Sequence, residues 1–254
     1  MKAYITLLST KEYLNGVLAL HQSLLNVGAK YPLVVGVTPN IDPTIRDVLF
    51  QKKIEVIELQ GFSYPKECKR LFSLTGAAHW FYTSAKINIF GLEEFEKLVY
   101  IDSDMLVIRN IDELFECPHG TASQDGPEVL EEPEKHQSLN SGLIVIEPSK
   151  DIEEKLKDIC IKYKVQDQDA LTILYPDWKD KKELHLPPTY NLFFPFLNQY
   201  YLRGVDISNV KVFHFVGKEK PFLKEDKKPI RNVSNFFENY YLNCLFEAQR
   251  DIIF

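Results

Sequence analysis

The stretch LVYIDSDMLVI, Leu98–Ile108, sets two carboxylates into an otherwise apolar run. A near-continuous run of this kind reads as a strand buried on both faces, since a half-exposed strand would alternate apolar and polar residues. Residues two apart on a strand point to the same side, so Asp102 and Asp104 present their carboxylates to one place. That place is the carboxyl end of the strand, where open α/β sheets bind ligands. Two anions so close would drive one of them to take up a proton unless a cation sat between them. Oxygen donors suit Mg²⁺ or Mn²⁺ and leave coordination positions for substrate phosphates. The plainer alternative is a polar turn that ends a strand with two solvated aspartates.

Upstream of this stretch, strand and helix signals alternate. KAYITLL is rich in β-formers, and Ser9 lies three residues before Glu12, a capping-box spacing. Tyr13, Val17, Leu20 and Leu24 then share one helical face, and Gly28 ends the helix. PLVVGV reads as the next strand. Asp42-Pro43 opens a second helix, with Asp as N-cap and Pro at the first helical position. IEVIEL is a third strand, and a helix over about Thr83–Phe95 leads into KLVYID. Repeated βα units with apolar strands predict an α/β fold with a parallel sheet covered on both faces. Downstream, LNSGLIVIEPS reads as a strand, KDIEEKLKDICIKYK as an amphipathic helix, and DQDALTILY as a helix with acids at its N-terminus, where the dipole favours them. LHLPPTYNLF is extended and interrupted by proline, VKVFHFVG is a late strand, and the tail from Asn232 to Phe254 is helical and aromatic-rich.

The whole chain limits what this site serves. It has 254 residues, 45% hydrophobic and 13% aromatic, enough for a sizeable core. A net charge of −6 with no long Lys/Arg block argues against a nucleic-acid partner. The N-terminal segment reads as a first strand rather than a signal peptide, and no apolar run approaches the roughly 20 residues of a membrane span. A cytoplasmic location follows as the expectation, that of the host if the source is a large virus. Cys68, Cys117, Cys160 and Cys244 are scattered without a CxxC, as expected of thiols in a reducing compartment. Asn232-Val233-Ser234 matches a glycosylation acceptor by chance in that setting.

Taken together, five ordered segments resemble the family 8 retaining glycosyltransferases, the group that includes glycogenin and bacterial lipopolysaccharide glycosyltransferases. YIDSDMLVIRNIDELF resembles the family's D-x-D segment, LNSGLIVIEP its N-S-G strand, and DQDALTIL its D-Q-D motif. HLPPTYNL resembles its extended stretch ending in Y-N, and VFHFVGKEKPF its closing H-F-x-G-x-x-K-P segment. Haloacid-dehalogenase-like phosphatases also carry D-x-D, but on their first strand and followed by other residues. The resemblance implies a single GT-A (Rossmann-like) nucleotide-sugar-binding domain with a mostly parallel central sheet over residues 1–225. Residues 226–254 would be a helical extension packed on it.

By the same resemblance, Asp102, Asp104 and His214 hold Mn²⁺ (or Mg²⁺), which bridges the diphosphate of a UDP-sugar donor, and Ser103 lies between the two acids. Leu7, Leu8, Ser9 and Tyr13 match the uridine pocket, with Tyr13 stacking on uracil. Lys86 matches a lysine near the donor sugar and phosphate. Asn140, Ser141, Asp167 and Gln168 match residues that hold sugar hydroxyls, and Asp169 completes the acidic cluster. Gly217 lets backbone approach phosphate, and Lys220 offers a point charge to the leaving diphosphate. Retention can use a carboxylate nucleophile, Asp167 or Asp169, or a front-face route with Gln168 against the sugar; the second is favoured. The activity implied is hexose transfer, glucose first, to a glycan, polyol or protein-tyrosine acceptor, and dimerisation is a family habit. Two alternatives are a non-catalytic UDP-sugar binder and a metal-dependent phosphatase or nucleotidyltransferase. Three positions depart from the glycogenin pattern. Ala77 replaces an Arg, leaving that donor contact to Lys69, Arg70 or another group. Lys164 replaces an Asp, and Asn198 stands where glycogenin carries its glucosylated tyrosine, with Tyr200 and Tyr201 just beyond.

Overall fold

The computed structural model describes residues 1–60, 84–130, 132, 138–218, 220–223 and 233–249. Ala77, Lys69, Arg70 and Cys68, and the lysines at 224, 227 and 228, lie outside them.

Four parallel strands form one half of the main sheet. β1 (Lys2–Leu8) pairs with β2 (Leu33–Val37) and with β4 (Lys97–Ile101), and β2 pairs with β3 (Glu55–Glu58), all in parallel. Between them run α1 (Leu14–Asn26) and α2 (Pro43–Gln51). Asp42 caps α2 as its sequence predicts, accepting from the Thr44 N–H at 2.8 Å, with Pro43 opening the helix. Gly28, at φ +67°, follows the end of α1, a left-handed conformation that glycine adopts without strain. The capping box at Ser9–Glu12 does not form. The chain instead makes a 3-10 turn over Lys11–Tyr13 before α1, and the Ser9 carbonyl is used by the Asn40 amide at 2.9 Å.

The other half of the sheet changes direction. β7 (Leu139–Ile146) is buried along its full length, as expected, but runs antiparallel to β4. β6 (Ala122–Gln124) pairs antiparallel with β7, and β8 (His185–Leu186) parallel with β6. The order is β3-β2-β1-β4-β7-β6-β8, mostly parallel. A second small sheet has β10 (Val212–His214) between β5 (Met105–Val107), antiparallel, and β9 (Leu192–Phe193), parallel.

Alternate side chains divide between two cores, one on each face. Tyr4, Leu8, Val35, Val99, Ile101 and Val145 pack with α1, the small sheet and Tyr241 of α6 (Val233–Gln249). Ile5, Leu7, Val34, Leu98, Ile144 and Ile146 pack on the other face with α3 (Lys150–Tyr163) and α4 (Asp167–Leu174). Each large side chain so buried contributes about 1.5–3 kcal/mol. α6 is tied to α1 by Gln249 donating to Asn15 at 2.7 Å and Asn26 donating to Glu247 at 3.3 Å. The helix expected over Thr83–Phe95 is a 3-10 segment, Ser84–Gly91, all of whose residues are buried. A segment with no exposed face has no amphipathic period to follow, and at Gly91 a Cβ would lie 1.8 Å from the Glu153 carboxylate. Among the described residues no helix is long and apolar enough to cross a membrane.

Candidate active site

β4 ends at Ile101, so Asp102 and Asp104 do not lie on a strand. They occupy a turn, closed by the Met105 N–H donating to the Asp102 carbonyl at 3.1 Å, that carries the chain from the main sheet into β5 of the small one. The two-residue spacing therefore works through a turn. His214 comes from β10, whose antiparallel register sets it opposite Met105. The Phe215 N–H then donates to the Asp104 carbonyl at 3.0 Å. His214 Nε2 lies 3.3 Å from Asp104 Oδ1 and 3.9 Å from Asp102 Oδ2. One ligand atom from each of the three residues falls within 4.8 Å of the others.

Two buried lysines flank the aspartates. Gly217, at φ +84°, turns the chain so that Lys220 returns to contact Asp104 Oδ2 and the Phe215 carbonyl. Burial alone would raise the Asp104 pKa, but His214 and Lys220 beside it override this and hold it well below the usual carboxylate range. On the other side, Lys86 Nζ lies 3.1 Å from Asp167 Oδ2 and 3.5 Å from Asp102 Oδ1. It also donates to the Ser141 carbonyl at 2.7 Å and Oγ at 3.0 Å, and sits 4.1 Å above the centre of the Tyr100 ring. Burial lowers its pKa, but Asp102 and Asp167 together raise it above its ordinary value, so the ammonium stays charged.

Lys86 and the two aspartates open on a cleft of about 470 Å³ at the carboxyl ends of β1 and β4, whereas His214, Gly217 and Lys220 are not among the residues that line it. Of the residues singled out in the sequence, Leu7, Ser9, Tyr13, Lys86, Asp102, Ser103, Asp104, Ser141, Asp167, Gln168 and Asp169 line it. Leu8 does not, because its side chain is fully buried on the α1 face of the sheet. Tyr13 meets Phe222 edge-on at 5.3 Å, and burial pushes its phenol up to about 12, so it faces the cleft as a neutral ring. Asp167 accepts from Ser141 Oγ at 2.8 Å as well as from Lys86. Burial, then Asp167, raises the Asp169 pKa. Gln168 is fixed at both ends: its Oε1 accepts from the Ser141 N–H at 3.1 Å and its Nε2 donates to Asp125 at 3.1 Å.

Asn140 is brought to the same place but is turned inward. Its Nδ2 donates to Asp125 at 2.9 Å and to Gln168 at 3.2 Å, and its Oδ1 accepts from the Gly142 N–H and from Asn191. A Cβ at Gly142 would lie 2.9 Å from an Asp102 oxygen and 2.6 Å from the Met105 methyl, so those side-chain ends would have to shift. Sequence reading missed Tyr100, Asp125 and Asn191. Tyr100 donates to Asp102 Oδ1 at 2.6 Å, and a tyrosine two residues before an acid at a strand end was a usable signal. Asn191 was visible as part of Y-N but had no local pattern to give it a role. Asp125 has no motif around it at all. Of the two tyrosines weighed as self-acceptors, Tyr200 is buried and Tyr201 is 63% exposed, both on α5 (Leu197–Leu202).

Glycosyl transferase family 8 matches residues 4–226, and the chain belongs to that family of retaining enzymes. It is 27% identical to galactinol synthase 3 of Arabidopsis thaliana over 96% of this chain and 85% of that one. It is 28% identical to glycogenin-1 of Oryctolagus cuniculus over 87% of this chain and 65% of that one. In fold it is similar to the galactosyltransferase LgtC, solved with donor and acceptor sugar analogues, with a TM-score of 0.68, 17% identity, and coverage of 97% of this chain and 96% of that chain.

Proposed function

We propose that this protein transfers a hexose, glucose in the first instance, from a UDP-sugar to a glycan, polyol or protein-tyrosine acceptor with retention, using Mn²⁺ or Mg²⁺. The observation that carries the proposal is the convergence of Asp102, Asp104 and His214 beside Lys220, with the two aspartates lining the cleft. Two carboxylates and an imidazole form a donor set that fits such an ion. The ion, when bound there, would offset charge on the donor diphosphate. Tyr13 would stack on the uracil and Ser9 would line its pocket, while Lys220, seated after the Gly217 turn, would carry positive charge to the departing phosphate.

The front-face route fits the contacts of Asp167 better than double displacement through it. Asp167 is engaged by Lys86 and Ser141 and is poorly placed to become a nucleophile. Gln168, fixed by Ser141 and Asp125, would present its amide to the reacting carbon. The bond from sugar C1 to the phosphate oxygen breaks, the acceptor oxygen bonds to C1 on the same face, and the acceptor's proton passes to the departing phosphate oxygen. The names galactinol synthase and glycogenin support the range of acceptors. The proposal includes a cytoplasmic setting and a boundary near residue 225 between the catalytic domain and the helical extension that contains α6.

The test is UDP release from a panel of UDP-sugars with Mn²⁺ and with EDTA, together with the intact mass of the protein. Metal-dependent release that favours one sugar is expected. An added hexose that disappears in Tyr201→Phe would identify the exposed tyrosine as an acceptor. Mn²⁺-dependent UDP binding without release from any donor would instead mark a non-catalytic binder.

A further inference from the structure

We infer that Asn191 and Asn140 form a relay that fixes the tautomer of His214 and so makes its Nε2 a ligand. The relay starts from a group whose identity is not in doubt. The Gly142 backbone N–H donates to Asn140 at 3.0 Å, so the atom it meets must be the amide oxygen. The same oxygen receives Asn191 Nδ2 at 2.7 Å. Asn191 therefore turns its own oxygen toward His214 Nδ1, 2.9 Å away. An amide oxygen only accepts, so Nδ1 carries a hydrogen, and in the neutral ring the lone pair resides on Nε2. That is the nitrogen facing Asp104 and Asp102.

Three features support a positioning role over ordinary core packing. Asn140 spends both amide hydrogens and both oxygen lone pairs on protein partners, Asp125, Gln168, Gly142 and Asn191. It has nothing left for the sugar hydroxyls that its motif would suggest. Asn191 and Asn140 are both buried, and in a buried amide network each partner sets the orientation of the next. Finally, a lone pair on Nε2 turned toward two carboxylates is unfavourable by itself and becomes favourable once a cation lies between them. Partners on the second ring nitrogen commonly orient a metal-bound histidine in this way.

The inference rests on the metal reading of the site, and its test separates the two. Long-range ¹H–¹⁵N spectra of the full-length, metal-free protein report the His214 tautomer directly. Hydrogen on Nδ1 is expected, with or without a second hydrogen on Nε2. A ring with hydrogen on Nε2 and none on Nδ1 would overturn the relay, whatever the metal does. Mn²⁺ affinity, read from the EPR signal of free Mn²⁺ without donor, should fall about 10–100-fold in Asn191→Leu. Asn191→Asp keeps an acceptor for Nδ1–H and should recover much of that loss. A leucine variant with wild-type affinity and a wild-type tautomer would also overturn the relay. No Mn²⁺ binding to the wild type would overturn the metal reading alone, and the tautomer would still judge the relay.

Discussion

Lys86 and Lys220 are both buried, and each neutralises one aspartate of the acidic turn, but they are held differently. Lys86 is enclosed. It lies between Asp102 and Asp167, donates twice to Ser141 and rests on the Tyr100 ring, and apart from Asp102 in its turn these partners come from the main sheet or the helix packed on it. Lys220 reaches Asp104 and one carbonyl from a short segment after a glycine turn. A charge with many partners on rigid elements is a permanent part of the site. One held by a single carboxylate can release that partner to a cation and turn to a phosphate. The contrast explains how a site with several acids stays folded before its ligands arrive and still makes room for them.

The largest effect should come from Asp104→Asn, which removes a ligand oxygen's charge from the side that Lys220 serves. Transfer should fall about 10³-fold or more. The fold should persist, because the asparagine oxygen can still accept from Lys220. Turnover near that of the wild type would sink the metal assignment, and with it the idea that Lys220 yields its partner to a cation.

How far the sequence foretold these two sides follows from the range of the interactions involved. The Asp102 side lies at the end of a buried strand in the parallel half, and its βα pattern, the Asp42-Pro43 cap and the Gly28 terminus are local signals that a strand or helix period exposes. The Asp104 side depends on β10 meeting β5, more than a hundred residues apart, and no period in either segment states that pairing. It was reached through motif resemblance. The antiparallel direction of β7 was not legible because a strand buried on both faces looks the same in either direction. The 3-10 segment around Lys86 was misread as a helix because its turns serve a lysine that must enter the core. Asp125 and Asn191 act by contacts with residues that their neighbours in sequence do not indicate, whereas the partner of Tyr100 lies only two residues on.

Replacing each lysine by methionine tests the comparison itself. Lys86→Met leaves Asp102 and Asp167 without their shared cation, and breaking a buried pair in this way costs about 3–5 kcal/mol. Urea unfolding should show that loss with and without Mn²⁺, since Asp167 lies outside the triad of metal-ligand candidates. Lys220→Met should cost less, and most of the loss should return with metal, because a site at 100 times its Kd gains about 2.7 kcal/mol. Its transfer rate should still drop about 10²–10³-fold, as the leaving phosphate loses a positive partner. Equal losses in both variants, equally restored by Mn²⁺, would show that the two lysines are interchangeable counter-ions.

The smallest effect should come from Tyr100→Phe, which keeps the ring beneath Lys86 and removes the hydroxyl that holds Asp102 Oδ1 at 2.6 Å. Mn²⁺ affinity should weaken about tenfold through loss of that orientation. Stability should fall by about 1–2 kcal/mol, because a hydrogen bond to a charged acceptor is lost while the ion pair to Lys86 remains. Unchanged Mn²⁺ affinity would mean that Lys86 alone orients Asp102. The enclosed lysine would then both neutralise and aim the first aspartate, and the tyrosine would serve only as its floor.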